Sequence, residues 1–147
     1  MERIKITLPA TFAFSTFLKI RITDINYGGH VGNDTFLSLL HEARMQFLQT
    51  FGFSELNFEG AALIMSDSAI EYKRELRHGD ELKISVAAEG FDKIGFDLFY
   101  LLEVSDGEKL EIAGKAKTGM VCFDYGTRKK VAVPQKAKDI ILSFQLK

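Results

Sequence analysis

The chain contains no tryptophan, a single cysteine and almost no net charge. With 19 Lys and Arg against 20 Asp and Glu, the formal charge of −1 leaves no long-range field to attract a polyanion. The only basic run, Arg128-Lys129-Lys130, is short, so nucleic acid is not an expected partner. A lone Cys122 excludes an internal disulfide framework. Its place in the alternating run Met120-Val121-Cys122-Phe123 suits a small buried apolar residue better than a nucleophile. No stretch approaches the roughly 18 apolar residues of a membrane-spanning helix. The mixed-charge start Met1-Glu2-Arg3-Ile4-Lys5 leads into no apolar run of the secretory kind. A cytoplasmic protein without a membrane partner is the expectation. Three dispersed histidines and one distant cysteine provide no zinc-like spacing. Gly28-Gly29-His30-Val31-Gly32 does not match a phosphate-cradling fingerprint, and it leads into an acidic helix start. Neither a metal nor a cofactor is expected. Repeats, linkers and low-complexity stretches are also missing.

What is present is ordinary in bulk: 147 residues, 46% apolar and 27% charged, enough for one globular domain over residues 1–147 with a real core. Phenylalanine is the exception. Its 13 copies line an interior or a pocket with rings that carry no polar handle.

Residues 12–23 read as a strand, with Phe17, Ile20 and Ile22 among β-favouring neighbours. The following segment, from Asp24 to Asp34, is a loop with tight backbone demands, because Gly28, Gly29 and Gly32 crowd it. A helix is predicted over residues 35–51. Phe36, Leu39, Leu40, Ala43 and Phe47 recur at helical spacing, and Leu37, Met45 and Leu48 widen the apolar arc beyond a surface stripe. Asn33 or Asp34 suits the N-cap, and Gly52 suits the left-handed position after the end. Alternation then predicts strands over 70–76, 82–88 and 96–104, with a turn at His78-Gly79-Asp80 and a hairpin at Asp106-Gly107. A long strand over 109–123 follows, with Gly114 and Gly119 marking bends or bulges. A short strand over 131–133 and a short helix through Ala137, Ile140, Ile141 and Phe144 complete the chain. The implied class is α+β, an antiparallel sheet curled around one long buried helix. Such a sheet keeps open edges, and edge-to-edge pairing into a homo-oligomer would complete it.

Three stretches carry a family resemblance. The first is Arg21-Ile22-Thr23-Asp24-Ile25-Asn26-Tyr27-Gly28-Gly29-His30-Val31-Gly32-Asn33, followed by the helix ending in Glu42-Ala43-Arg44. The second is Glu71-Tyr72-Lys73-Arg74-Glu75-Leu76-Arg77-His78-Gly79-Asp80-Glu81-Leu82. The third runs from Ala113-Gly114 through Thr127-Arg128-Lys129-Lys130 to Pro134. In order and spacing they resemble the hotdog-fold acyl-CoA thioesterases of the 4-hydroxybenzoyl-CoA thioesterase type. The resemblance implies a hotdog fold, a dimer or tetramer with sites at the subunit interface, and hydrolysis of acyl thioesters. The carrier would be coenzyme A or, in some relatives, acyl-carrier protein. No metal or redox cofactor is implied.

A thioester is already activated, so the site must polarise the carbonyl and deliver water or a nucleophile. Backbone amides of Gly29, His30 and Val31, with the positive end of the helix, are candidates for the first task. Tyr27, Gly28, Gly29, Val31 and Asn33 are the expected substrate-binding positions, Asn33 bracing the loop at the helix entrance. The family's aspartate falls, four residues before His30, on Asn26. An amide is no base, though it orients water or holds a carbonyl. The candidate bases are therefore Asp24, which would share a face with Asn26 in an extended chain, then Glu42 on the helix, and His30 if a carboxylate orients it. Glu42 reads equally well as a partner of Arg44 or Arg74. Lys73, Arg74 and Arg77 read as a solvated face. A thioester-binding module without hydrolase activity is the rival function, because Asn26 replaces the aspartate. A hotdog hydratase is less compatible. Its histidine follows the aspartate by five positions, whereas His30 follows Asp24 by six with no preceding proline.

Overall fold

The computed structural model describes residues 1–147. Its elements are β1 (Phe14–Lys19), α1 (Asn33–Thr50), β2 (Ala62–Tyr72), β3 (Glu81–Glu89), β4 (Gly95–Asp106), β5 (Lys109–Asp124), β6 (Lys129–Lys130) and α2 (Gln135–Gln145). Every strand pair is antiparallel, and the sheet runs β1-β3-β4-β5-β2, with β6 against the end of β5. The sheet curls around α1, as the wide apolar arc required. Phe36, Leu39, Leu40, Ala43, Phe47 and Leu48 are buried against Leu82, Ile84, Val86, Leu98, Tyr100 and Leu102 from the inner faces of β3 and β4. Full burial of one such large side chain contributes about 1.5–3 kcal/mol.

The phenylalanines make a connected file of rings through this core. Phe14 packs edge-on to Phe47, Phe47 to Phe51, and Phe53 to Phe58, while Phe58 stacks on Phe96 and Phe96 on Phe91. They fill the interior at the C-terminal end of α1, away from the glycine loop that opens the helix.

Several boundaries differ from the sequence reading. β1 ends at Lys19, and residues 22–24 form a 3-10 turn instead of more strand. Ile20 carries the β1–β3 register one step past β1, where its N–H donates to the Asp80 carbonyl and its own carbonyl accepts from Gly79, and the pairing stops at the turn before β3. α1 begins at Asn33 with Gly32 as its cap, so neither Asn33 nor Asp34 caps it. The Gly32 carbonyl accepts the Thr35 and Phe36 amides at 3.1 and 3.2 Å. Gly52 does take the left-handed position after the helix, at φ 77°. β2 begins at Ala62 and ends at Tyr72, where residues 70–76 had been expected. The bulge between Met65 and Asp67 breaks its alternation. Gly119 faces that bulge, and a methyl there would come within 2.5 Å of Asp67 Oδ1. Gly114 adjoins the second register shift, opposite Leu102 and Glu103. The predicted strand over 131–133 is instead a half-buried connection, with Val131 bonded to Cys122 and Val133 to Lys93.

Two devices finish the sheet. β1 stops at Phe14 opposite Val86, leaving the Ala88 backbone unpaired, and the Gln145 amide takes both of its groups, at 2.7 and 2.9 Å. The N-terminal segment crosses the outward face: the Ile6 N–H donates to Glu71 at one side, and Pro9, Ala10 and Thr11 lie beside Ala87 and Glu89 at the other. Beyond Leu63, whose N–H donates to the Glu55 carbonyl, no strand pairs with the outer edge of β2, and Met65 and Tyr72 on that strand are about half exposed. No helix is long and apolar enough to cross a membrane.

Candidate functional site

Two of the three motifs meet at the start of α1. The Val31 N–H donates to the Leu76 carbonyl at 2.9 Å, and Leu76 is fully buried. With the Ile20 pairings to Gly79 and Asp80, this clamps the 73–80 loop onto the glycine loop. Sequence spacing alone could not show that contact.

Within the glycine loop, Asn26 is the hub. Its N–H donates to the His30 carbonyl at 3.0 Å, and its own carbonyl accepts from Gly29 at 3.0 Å. Its side-chain Oδ1 accepts the Gly28 N–H at 2.9 Å. The absence of side chains at two glycines makes the arrangement possible. A methyl on Gly28 would sit 3.2 Å from Asn26 Oδ1 and 3.5 Å from His30 Nε2. A methyl on Gly32 would sit 2.7 Å from Asp34 Oδ1 and 3.1 Å from Asn26 Nδ2. The Asn26 amide and the His30 ring therefore face one small space over Gly28.

His30 Nδ1 lies 3.3 Å from the Val31 carbonyl. A carbonyl only accepts, so that contact needs the proton on Nδ1 and leaves the Nε2 lone pair free. Nε2 in turn lies 3.8 Å from Glu75 Oε1. Of the three amides considered for an oxyanion, Gly29 and Val31 donate within the chain, whereas the His30 amide donates to nothing in it. The Gly32 amide faces the Asp24 carbonyl across the bridge that pairs Ile25 with Val31. Tyr27, at the loop tip, is wholly exposed, Asn33 opens the helix, and the site is open on one side.

Asp24 and Glu42 are elsewhere. The 3-10 turn removes the extended geometry in which Asp24 and Asn26 would share a face. Asp24 is buried, and its Oδ2 accepts the Arg21 N–H at 2.8 Å. Glu42 accepts from Gln46 at 2.8 Å, and Gln46 in turn accepts from Thr16. Both carboxylates line a cleft of about 540 Å³ between β1 and α1, which includes none of the residues 26–33.

Neither arginine pairs with Glu42. Arg44 is only 5% exposed, donates to the Tyr100 hydroxyl at 3.2 Å and lies 3.6 Å from Glu55, which also bonds His41. Tyr100 bonds Thr118 at 2.8 Å, so a polar file runs from the surface into the core. Arg74 pairs with Glu111, Lys73 with Glu71 and Arg77 with Glu75, each at 4 Å or less, so these cations stand beside carboxylates. Cys122 is buried, and the burial pushes its thiol up to about 11. No group of three or more His, Cys, Asp and Glu side chains is placed to hold a metal ion.

An antiparallel sheet wrapped around one helix, with a glycine loop bringing Asn26, His30 and an unspent amide to the helix start, defines a hotdog-fold protein of the thioesterase class. The family model of the Thioesterase-like superfamily matches residues 20–141, and the chain belongs to that family. It is 28% identical over 122 residues to a 1,4-dihydroxy-2-naphthoyl-CoA hydrolase of Microcystis aeruginosa, covering 81% of this chain and 86% of that one. A 1,4-dihydroxy-2-naphthoyl-CoA thioesterase from Synechocystis shares the fold with a TM-score of 0.74 at 23% identity, over 88% of this chain and 95% of that one. A Thermus thermophilus thioesterase, solved with coenzyme A and Zn, shares it with a TM-score of 0.81 at 20% identity, over 95% and 98%.

Proposed function

We propose that the chain hydrolyses acyl thioesters of coenzyme A, with His30 as general base and Asn26 holding the carbonyl or the attacking water. The observation that carries this reading is the shared space over Gly28, where the free Nε2 lone pair and the Asn26 amide converge. Water lying there would give its proton to Nε2 as its oxygen bonds the thioester carbon. The oxyanion so formed would meet the His30 amide and the positive end of α1. Collapse breaks the C–S bond, and the leaving thiolate takes the proton back from the imidazolium. One water and one thioester become one acid and one thiol.

The open side of the site and the unpaired β2 edge support assembly as a homodimer or homotetramer. Antiparallel pairing of two β2 edges sets the Ala62 end of one copy beside the Tyr72 end of the other. That brings β6 and Arg128 of a second copy towards the glycine loop, where cations suit a phosphate-bearing substrate. A cytoplasmic location belongs to the same reading.

The test is release of free thiol from a panel of acyl-CoAs, beginning with 1,4-dihydroxy-2-naphthoyl-CoA, alongside acyl-carrier-protein thioesters of the same acids. Turnover of at least one coenzyme A thioester that falls about 10²-fold or more in His30→Ala supports the reading. Binding without turnover favours a thioester-binding module, the alternative that Asn26 in the aspartate position suggests.

A further inference from the structure

The second motif contributes a carboxylate that spacing within the first motif could not reveal. Glu75 Oε1 lies 3.8 Å from His30 Nε2, although 45 positions separate the two residues. The approach is built into the fold. The neighbouring Leu76 carbonyl accepts the Val31 N–H, and the buried Leu76 side chain anchors the 73–80 loop, so the Glu75 backbone is held beside the residue that follows His30. The Glu75 carbonyl also accepts from Arg74 Nε at 3.2 Å. Its second oxygen, Oε2, is 3.8 Å from Arg77, which leaves Oε1 directed at the imidazole. The space over Gly28 borders the same nitrogen, a methyl there standing 3.5 Å from Nε2.

Resting on the reading of His30 as base, we infer that Glu75 is the positioning residue of His30. The Val31 carbonyl, not Glu75, sets the neutral ring; Glu75 acts by its charge, which stabilises the imidazolium that exists between proton uptake from water and proton return to the thiolate. Glu75 takes no proton and touches no reacting atom. The second motif thus completes the dyad that Asn26, lacking a carboxylate, does not form. The contact is partly solvated, with side-chain exposures of 38% for His30 and 59% for Glu75, so the pair is worth less than a buried one. Attraction between unit charges at this distance in bulk water corresponds to about a fivefold effect on a step that forms the cation, and a pair this solvated stands near that limit.

The experiment is steady-state hydrolysis by the full chain, on the best acyl-CoA of the panel, for the parent, Glu75→Gln, Glu75→Asp and His30→Ala, with melting curves of each. The expected result for Glu75→Gln is a fall in kcat of about fivefold, KM within about twofold, and an unchanged melting curve. Glu75→Asp should recover part of the lost kcat. A Glu75→Gln kcat within twofold of the parent overturns the inference. So does a loss that appears equally in KM or comes with a lowered melting temperature, and so does an aspartate no better than glutamine. A His30→Ala variant with parental kcat sinks the reading of His30 itself and the role of Glu75 with it. An inactive His30→Ala beside an indifferent Glu75→Gln sinks the role of Glu75 alone.

Discussion

Gly28→Ala puts the geometry of the loop under the most local strain-free test available. The residue is exposed and its φ lies outside the left-handed region, so alanine is tolerated by the backbone. The added methyl would stand 3.2 Å from Asn26 Oδ1 and 3.5 Å from His30 Nε2, in the space assigned to the reacting water. Asn26 would have to give by a few tenths of an ångström while keeping its 2.9 Å bond to the Gly28 N–H. Misplacement on the order of 1 Å in a reacting group costs about 10²-fold. The expected result is kcat/KM down about 10²-fold, with stability within about 0.5 kcal/mol of the parent, as for surface substitutions. Gly29→Ala provides the contrast for stability. Its methyl meets no atom within 4 Å, but at φ +86° an alanine is strained by about 1–2 kcal/mol. For a domain of this size that lowers the melting temperature by about 2–8 °C. The assays are thiol release and calorimetry. Full activity in Gly28→Ala would show that the space over Gly28 is not where the chemistry takes place.

Other expectations concern the rest of the molecule. Phe47→Ala removes a fully buried ring that packs on both Phe14 and Phe51, and should cost about 3–5 kcal/mol in denaturant unfolding; a loss below about 1 kcal/mol would contradict its central place. Asn26→Asp keeps the acceptor for Gly28 but loses the Nδ2 donors, and should lower kcat; a variant faster than the parent on every thioester would mark Asn26 as a remnant of the family's aspartate. Asp24→Asn keeps an oxygen for the Arg21 N–H, so kcat should stay within a few-fold, and a 10²-fold loss would return the base to Asp24. The Ile6 N–H, then Lys73, holds the Glu71 carboxyl below the usual carboxylate range. A depressed carboxylate stabilises above its unfolded value, about pH 4.3, and loses that contribution as pH falls through its lower folded value. Hydrogen exchange at the Ile6 amide should therefore be protected at pH 6 and lose that protection below about pH 4; protection independent of pH would contradict the anchor.

The parts of this fold that sequence made legible are those in which one period dominates. α1 could be read because its buried residues repeat at helical spacing, and β4 because its inner and outer residues alternate over most of its length. The first half of β2 could not, because the bulge at Ser66 shifts the alternation and the inward-facing Ser68 lies on an edge strand that the helix leaves uncovered. The early end of β1 was hidden for another reason: its pairing runs out at Ile20, where the paired segment turns at residues 77–80, a tertiary limit that no local pattern records. The same distinction divides the site. Asn26, His30 and the glycines lie in one short loop, and their grouping was visible. Asp24 looked like a partner of Asn26 only while the chain was taken as extended, and the 3-10 turn directs its carboxylate back to the Arg21 amide. Arg44, read only as a possible partner of Glu42, is buried instead beside Tyr100, which lies 56 residues away and supplies an acceptor from the sheet. Glu75 escaped notice because only the docking of one loop on the other brings it to His30.

The measurement that bears most directly on the central claim is single-turnover hydrolysis of an acyl-CoA by the parent and by His30→Ala, with thiol and free acid both quantified. The parent should release the two in equal amounts. His30→Ala, still folded and still binding the thioester, should be slower in the chemical step by about 10²–10⁴-fold, the range for a lost general base. A chemical step in His30→Ala as fast as the parent's would contradict the assignment of His30, and a parent that binds the thioester but releases neither product would contradict hydrolysis itself.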